Sequence, residues 1–383
     1  MAHAQAQHPE GVDPQWVTLI FVALILGLVM AFSASYPEAC AGNGDKPVDA
    51  LSFFKSQFVF ALVGLVAGWT IGLMRPKWLR ALALPGLLIC FALMVAAIVQ
   101  GSLFGGTRGS YNYLNLFGLI TFQPSELAKP FYLVYVASLL ARGSLQGKSL
   151  LQVLQHPVAI FCGIFCVILL GQHDMGMTIL VVAITLALAY LGGMKSGQLW
   201  GIVLTLLILA GAGAYLQKGE HWGRVVAWID PVGTRSDNGY QILAMLVATA
   251  RGGMFGQGLG DSPDKWGQMP EAHTDAIFCV MGGELGFLRL SLFVLLAGWI
   301  VWRALQIGRD SGDDFGAFVC SAVAILFGIQ ALINMAVATN CMPVTGLTLP
   351  FISCGGSSMI ACLMAAGLVL AVHRDAARNA EAH

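Results

Sequence analysis

Charge is scarce in this chain. Only 10% of its 383 residues are Asp, Glu, Lys or Arg, whereas 57% are hydrophobic and the mean hydropathy is +0.76. Soluble domains carry about 25% charged residues, so this composition excludes an ordinary soluble fold and predicts an integral membrane protein. The 20 basic residues balance the 20 acidic ones. No basic run or aromatic-interleaved patch occurs, so we predict no nucleic-acid partner.

Other signatures are missing as well. His221 and His273 have no paired ligand spacing, which argues against structural zinc. Most of the nine cysteines fall within predicted helices as small apolar residues, while Cys40, Cys341 and Cys354 leave a disulfide near the outer face open. The absence of a recognisable internal repeat weakens the case for an inverted-repeat transporter.

Two further segments lack the context that a familiar motif requires. No strand precedes GQGLGDS, so its glycines do not form a dinucleotide fingerprint, and we interpret them as a loop hinge. The first fifteen residues have neither the basic flank nor the cleavage site of a secretory signal. The first helix is therefore expected to be an uncleaved anchor.

Apolar runs long enough to cross ~30 Å of hydrocarbon recur along the chain. They predict an all-α polytopic membrane domain over 16–373, with short tails at 1–15 and 374–383 and a large loop at 217–275. The segment 238–250 is too short for a span and is predicted to be interfacial or re-entrant. About ten spans are predicted, at 16–34, 57–74, 79–99, 124–141, 156–171, 175–192, 198–216, 276–302, 315–338 and 348–372.

Lys and Arg residues are distributed unequally between the two sides of this topology, and that inequality sets the orientation. The side opposite the termini has only Lys46, Lys55 and Arg108 in its short loops. Both termini are therefore predicted to be cytoplasmic, and the large loop extracytoplasmic. The side shared with the termini holds Arg75, Lys77, Arg80, Arg142, Lys148, Lys195, Arg303, Arg309, Arg374 and Arg378.

Four polar segments emerge together at the predicted outer face. They are GTRGSYNYLNLFG at 106–118, QHDMG at 172–176, the loop at 217–275, and NCMPVTGLTLPFISCGG at 340–356. Their common side predicts that they form the rim of one cavity facing the outer leaflet.

The cavity candidates begin with Glu126 and Lys129, three residues apart on one face of a helix. Each charge alone costs ~2.5–3.5 kcal/mol at a helix centre. The two side chains either form a structural ion pair or bind an anionic head group. Arg108, just upstream, is either a solvated loop residue or a bidentate ligand for phosphate.

Asp174 and Asp275 each precede an apolar helical run, where an aspartate commonly caps the helix. Capping is therefore the alternative to ligand binding at Asp174 and to catalysis at Asp275. Asp275 differs because Glu271 and His273 cluster beside it. A carboxylate at the boundary between water and membrane can accept a proton from a sugar hydroxyl if burial and neighbouring groups raise its pKa.

A set of ordered motifs resembles one known family. QPSELAK, WIDPVGTRSDNGYQ, GGMFGQGLGDS, MPEAHTDAIF, GGELGF and GLTLPFISCGGSS run in the order found in the SEDS family of bacterial cell-wall proteins. The likeness extends from about residue 17 to 373, and the PEAHTD wording is closer to the FtsW and SpoVE branches than to RodA. The resemblance implies a ten-helix peptidoglycan glycosyltransferase of the bacterial cytoplasmic membrane. It would polymerise lipid II at the outer face, with a class B penicillin-binding protein as partner.

The resemblance implies that Asp275 is the catalytic residue. It would deprotonate the acceptor hydroxyl, with Arg108, Lys129 and optionally a divalent cation, Mg or Mn, offsetting the charge of the departing diphosphate. Gly283 stands where the family usually has a glutamate, which leaves the role of that carboxylate open. A lipid II flippase and a non-enzymatic scaffold for the penicillin-binding protein are the alternative functions. The residues predicted to bind substrate are Arg108, Glu126, Lys129, Asp174, Glu271 and His273.

Overall fold

The computed structural model describes residues 11–41, 51–105, 111–116, 120–217, 220–236, 238–266 and 269–381. Ten of its helices coincide with the ten predicted spans, which confirms the polytopic helical fold. These helices are α1 (Pro14–Ala41), α2 (Ser52–Leu73), α3 (Pro76–Phe104), α4 (Pro124–Arg142), α6 (Pro157–Gly171), α7 (Met175–Leu191), α8 (Ser196–Gln217), α11 (Ile277–Asp310), α12 (Asp314–Ala338) and α13 (Gly356–Glu381). The shorter helices are α5 (Leu150–Leu154), α9 (Glu220–Ile229) and α10 (Asn238–Arg251).

Six of the described helices are each long and apolar enough to cross a membrane, namely α1, α2, α3, α11, α12 and α13. Shorter apolar helices follow at α6, α7 and the first part of α8. α4 has 19 residues but carries Glu126 and Lys129, so its sequence is less apolar. Its buried face explains this: 13 of its residues are buried by neighbouring helices, so α4 meets protein rather than lipid on that side.

Helix α13 lies inside the bundle against α2, and small residues allow the two helices to approach closely. A Cβ atom built on Gly367 would lie 2.1 Å from the carbonyl oxygen of Gly68, which only glycine permits. Almost every α13 residue from Ser358 to Val372 is buried. A charged substitution on this stretch would therefore face protein on all sides.

Helix α11 is not the continuous span that the run 276–302 predicted. Gly286 has φ 72° and ψ 176°, which breaks the helix into an outer piece before it and a long piece after it. The break suits glycine because a residue with a Cβ rarely adopts positive φ. The outer piece is buried from Ile277 to Glu284, so it belongs with the loop rather than with the lipid-facing span.

The glycine-rich segment wraps around this break, so close packing, and not only freedom to hinge, accounts for its glycines. The amide of Phe287 donates to Gly253 O at 2.9 Å, and the amide of Gly258 donates to Glu284 O at 3.1 Å. These bonds occupy main-chain groups that the broken helix leaves unpaired. A Cβ atom on Gly256 would lie 2.1 Å from Glu284 O, so close packing explains that glycine.

The loop before α4 contains a feature that an all-α prediction omits. Strands β1 (Leu114–Leu116) and β2 (Ile120–Phe122) pair antiparallel in a small hairpin. Asn115, on β1, is held to α3 by two hydrogen bonds of 2.8 Å with the side chain of Gln100. The hairpin therefore fixes the segment that leads to Gln123 at the start of α4.

The large outer loop is also structured. α10 has 14 residues, a length of about 21 Å, which agrees with an interfacial segment and not with a span. A 3₁₀ turn at Pro263–Lys265 places Lys265 inside the protein, with its Nζ 2.8 Å from Glu284 Oε1 and 2.9 Å from Ser33 Oγ. The loop is thus fastened to α1 and α11 by a buried ion pair.

The two described ends of the chain lie at one face of the bundle. Asp13, the residue before α1, forms an ion pair with Arg303 near the end of α11, and Gly11 lies beside Arg374 of α13. At the opposite end of α1, Ser33 contacts the outer loop. This arrangement agrees with an even number of crossings.

Candidate active site

A cavity of about 690 Å³ opens among the four polar segments, so the predicted common rim is confirmed for the described residues. Its walls come from the hairpin and start of α4, the turn before α7, helices α9 and α10 with the end of the outer loop, and the segment 344–358. The polar side chains that line it include Asn112, Gln123, Glu126, Asp174, Arg224, Gln241, Glu271, His273, Thr274, Asp275, Thr345, Thr348, Ser357 and Ser358.

Asp275 lines this cavity between the outer loop and α11, and it is half-buried. The N-cap residue of α11 is Ala276, which has no capping side chain, so Asp275 is not the cap that the alternative required. A Cβ atom on Gly346 would lie 3.6 Å from Asp275 Oδ2. The carboxylate is therefore directed beside the 344–348 segment of the cavity wall.

The main chain that carries Asp275 is held at three successive positions. The carbonyl oxygens of 273–275 accept hydrogen bonds, in order, from Cys354 N at 2.9 Å, Ser353 Oγ at 2.7 Å and Asn334 Nδ2 at 3.1 Å. Asn334 also donates to Leu347 O at 2.7 Å and is 1% exposed. One buried amide thus joins the Asp275 segment to the facing wall, which limits how far the carboxylate can move.

Glu271 and His273 also line the cavity. Glu271 has φ 54°, and its Oε2 accepts a hydrogen bond from Thr274 Oγ1 at 2.9 Å, which closes a tight turn before Asp275. His273 Nδ1 lies 2.9 Å from Glu38 Oε2 at the outer end of α1. Glu271 therefore stabilises the turn before Asp275, and His273 links it to α1.

Asp174 caps a helix and also lies at the cavity wall, so capping does not exclude the ligand contact that the sequence left as the alternative. Its Oδ1 accepts from Met177 N at 3.0 Å and caps α7. Its Oδ2 accepts from Gln123 Nε2 at 3.0 Å and Asn112 Nδ2 at 3.4 Å, and the group lines the cavity. Burial raises the pKa of Asp174 above its ordinary value, against the opposing effect of the Met177 and Asn112 hydrogen bonds.

Glu126 and Lys129 form the structural ion pair. Lys129 Nζ lies 2.6 Å from Glu126 Oε2, the side chains are 3% and 5% exposed, and Lys129 also donates to Gln330 Oε1 at 3.2 Å. Glu126 lines the cavity but Lys129 does not. The geometry argues against our expectation that Lys129 offsets the charge of a leaving diphosphate, because its ammonium is buried between α4 and α12.

Sequence analysis missed Arg224, on α9. Among the described residues that line the cavity, it is the only lysine or arginine. On α9, Arg224 and Ala227 are three residues apart on one helical face and both line the cavity, which the sequence alone did not indicate. Arg108, the other arginine candidate, lies within 106–110 and so outside the described residues.

The cavity carboxylates do not make an evident cation site. Within the described ranges, no group of three or more His, Cys, Asp or Glu residues is arranged to hold a metal ion. Asp174 is committed to Met177 and Gln123, and Glu126 to Lys129. The described residues therefore do not fit a resident divalent cation, which needs several free oxygen ligands.

Comparison with known proteins gives one consistent result. The sequence matches the cell cycle protein family of FtsW, RodA and SpoVE over residues 14–378. The chain is 37% identical over 355 residues to the "Probable peptidoglycan glycosyltransferase FtsW" of Taylorella equigenitalis, covering 91% of this chain and 94% of the relative. The protein of the same name from Thioalkalivibrio sulfidiphilus is 37% identical over 368 residues, covering 94% of this chain and 89% of that protein.

Solved structures share the fold. A chain of a peptidoglycan synthase complex, studied for its coordination of polymerization and crosslinking, matches with a TM-score of 0.76 at 25% identity, covering 95% of this chain and 98% of that one. The rod shape determining protein RodA of Thermus thermophilus matches with a TM-score of 0.67 at 25% identity, over 95% of this chain and 97% of that one. The match of sequence and fold extends over nearly the whole chain, and the chain therefore belongs to the FtsW, RodA and SpoVE family of cell cycle proteins.

Proposed function

We propose that this chain is a peptidoglycan glycosyltransferase that polymerises lipid II at the outer face of the bacterial cytoplasmic membrane, with Asp275 as its catalytic residue. The observation that carries the proposal is a carboxylate on a clamped main chain at the wall of a polar cavity. FtsW relatives that align with more than nine-tenths of the chain support the activity.

The chemistry required of Asp275 is the removal of one proton. Its carboxylate accepts the proton of the acceptor GlcNAc 4-hydroxyl as that oxygen attacks the anomeric carbon of the donor sugar. The bond from the anomeric carbon to the diphosphate oxygen breaks, and undecaprenyl diphosphate leaves with the electron pair and with inversion at carbon. The leaving group needs charge stabilisation more than protonation, so one carboxylate suffices.

The clamp on residues 273–275 supports this role because general-base catalysis depends on placing the carboxylate within hydrogen-bond reach of the hydroxyl. Three donors from Asn334, Ser353 and Cys354 hold the main chain in place before substrate arrives. Asn112, Gln123 and other amide and hydroxyl groups of the lining suit the hydroxyl and N-acetyl groups of a disaccharide.

The lipid part of the substrate remains in the bilayer in this proposal. Helix α8 bears apolar side chains that are exposed on several sides, among them Leu204 at 60% and Leu207 at 65%. It leads directly to α9, which lines the cavity. The polyprenyl tails would lie against such helices while the head groups enter the cavity.

The orientation follows from the charge asymmetry of the loops, with both termini cytoplasmic and the cavity extracytoplasmic. A class B penicillin-binding protein as partner fits the similarity to a chain of a peptidoglycan synthase complex. The FtsW relatives favour a role in cell division. Mg or Mn would enter with the diphosphate, because the described side chains form no cluster of three or more metal ligands.

The flippase alternative requires a polar path through the membrane. At the level of α4 the charged groups are sealed, since Lys129 is paired with Glu126 and bonded to Gln330. The scaffold alternative does not require a carboxylate at the cavity wall, where Asp275 lies. Both alternatives are therefore less well supported than polymerisation.

The test is polymerisation of labelled lipid II by the purified protein, with and without the penicillin-binding partner. Asp275→Asn should lower the rate roughly 10²- to 10⁴-fold. Asp261→Asn is the matched control, because Asp261 is an exposed carboxylate of the same outer loop that does not line the cavity. Near-normal glycan ladders from Asp275→Asn would refute the assignment, and lipid II translocation that survives the substitution would favour a flippase.

A further inference from the structure

The cavity presents an electrostatic problem for the substrate proposed above. Among the described residues, four carboxylates line it: that of Glu126, which is paired with Lys129, and those of Asp174, Glu271 and Asp275. Lipid II and its product both carry a diphosphate, which is repelled by such a surface unless a cation compensates for its charge. The side chain that binds the diphosphate must therefore be a cation that reaches the same cavity.

Lys129 cannot supply this charge. Its Nζ is 2.6 Å from Glu126 Oε2 and is also bonded to Gln330, and the side chain is 3% exposed. Moving it into the cavity would leave the Glu126 carboxylate buried without its partner, at a large cost in free energy. In such a buried ion pair the two charges compensate each other, so Lys129 has no positive charge left to attract a ligand.

Arg224 does reach the cavity. It lies on α9, is half-buried, and is the only lysine or arginine in the part of the lining that the structure describes. Its guanidinium can form two parallel hydrogen bonds to phosphate oxygens, which an ammonium cannot match in geometry. We propose that Arg224 binds the diphosphate of the lipid-linked sugar substrate and of the departing polyprenyl diphosphate.

Helix α9 is anchored to the bundle, which fixes the main-chain position of Arg224. Trp228, one turn after Arg224, donates from Nε1 to Asn340 O at 3.0 Å, and Asn340 Nδ2 lies 3.4 Å from Trp228 O. This reciprocal pair ties α9 to the turn after α12. The next segment of that chain, from Val344 to Thr348, is the wall beside the Asp275 carboxylate.

The position also suits a lipid-linked diphosphate. α9 follows α8, whose apolar side chains are widely exposed. A polyprenyl tail that lies along α8 in the bilayer would bring its diphosphate to the level of α9. Arg224 has contacts of its own in the fold, so the diphosphate would share or replace them on binding.

This inference rests on the proposed function for its substrate, but its test does not require turnover. Binding of undecaprenyl diphosphate and undecaprenyl monophosphate is measured on the full-length wild type and on Arg224→Gln, Arg224→Lys and Arg235→Gln. Arg235 is the matched control, an exposed arginine of the same outer loop that does not line the cavity. Thermal unfolding of each variant establishes that it is folded.

Arg224→Gln should weaken binding of the diphosphate lipid by about 10- to 100-fold, the range for losing charge-assisted hydrogen bonds. Arg224→Lys should restore part of the affinity, and Arg235→Gln should bind as wild type does. The polymerisation assay should show the same loss as a raised KM for lipid II.

Unchanged diphosphate affinity in a folded Arg224→Gln variant would overturn the proposal, and so would an equal loss in Arg235→Gln. If the wild type forms no glycan but Arg224→Gln still loses diphosphate binding, the catalytic proposal fails and this one stands. If Asp275→Asn abolishes polymerisation while Arg224→Gln binds the diphosphate normally, the catalytic proposal stands and the proposal for Arg224 fails.

Discussion

The buried pair of Lys265 and Glu284 offers the sharpest test of how the outer loop is held against α1 and α11. Both side chains are almost fully buried, at 2% and 0% exposure, and Ser33 Oγ lies 2.7 and 2.8 Å from the two carboxylate oxygens. Lys265→Met would leave the Glu284 carboxylate with the Ser33 hydroxyl as its only remaining partner among these groups. Breaking such a pair costs about 3–5 kcal/mol.

That cost should fall on the loop rather than on the whole bundle, because Lys265 is the loop's own contribution to the pair. An increase of 3–5 kcal/mol in the free energy of the closed loop corresponds to roughly 10²- to 10⁴-fold more frequent opening. Hydrogen exchange is the assay, followed at peptides that cover 253–266. The amide of Gly258, bonded to Glu284 O, should show the change directly.

Two further variants make the result decisive. Lys265→Met combined with Glu284→Gln removes both charges, and it should exchange much more slowly than Lys265→Met alone. Arg80→Gln breaks an exposed pair with Asp313, 3.5 Å apart and 37% and 52% exposed, and should change exchange very little. Wild-type exchange in Lys265→Met, or a double variant as open as the single one, would refute the reasoning.

Two other predictions concern the clamp and the glycine contact. Asn334→Leu and Ser353→Ala should each lower kcat for lipid II polymerisation about tenfold with little change in KM. Each variant removes a hydrogen bond that holds the Asp275 segment, and neither side chain is expected to contact substrate. An effect on KM alone would contradict this prediction. Gly256→Ala should destabilise the protein by more than about 1 kcal/mol. The added methyl group would lie 2.1 Å from the main chain of α11, and Gly256 has φ 81°. An unchanged unfolding temperature would disprove the close contact.

Much of this protein was determined by sequence alone. Ten helical regions followed from apolar runs of the length that hydrocarbon requires, because a membrane leaves helices as the simplest way to pair every main-chain group. The convergence of four polar segments on one cavity followed from counting crossings. The resemblance of the ordered motifs to the SEDS family singled out Asp275, and the structure places Asp275 at the wall of that cavity.

The tertiary structure decided what each polar group is free to do. Spacing along α4 put Glu126 and Lys129 on one face, but only the packing of α12 shows that Lys129 is sealed against Gln330. Arg224 enters the cavity because Trp228 ties α9 to Asn340, 112 positions away in sequence. Burial and long-range hydrogen bonds depend on which helices become neighbours, and a local pattern does not specify that. The sequence determined which polar side chains the protein has, and helix packing determined which of them reach the cavity.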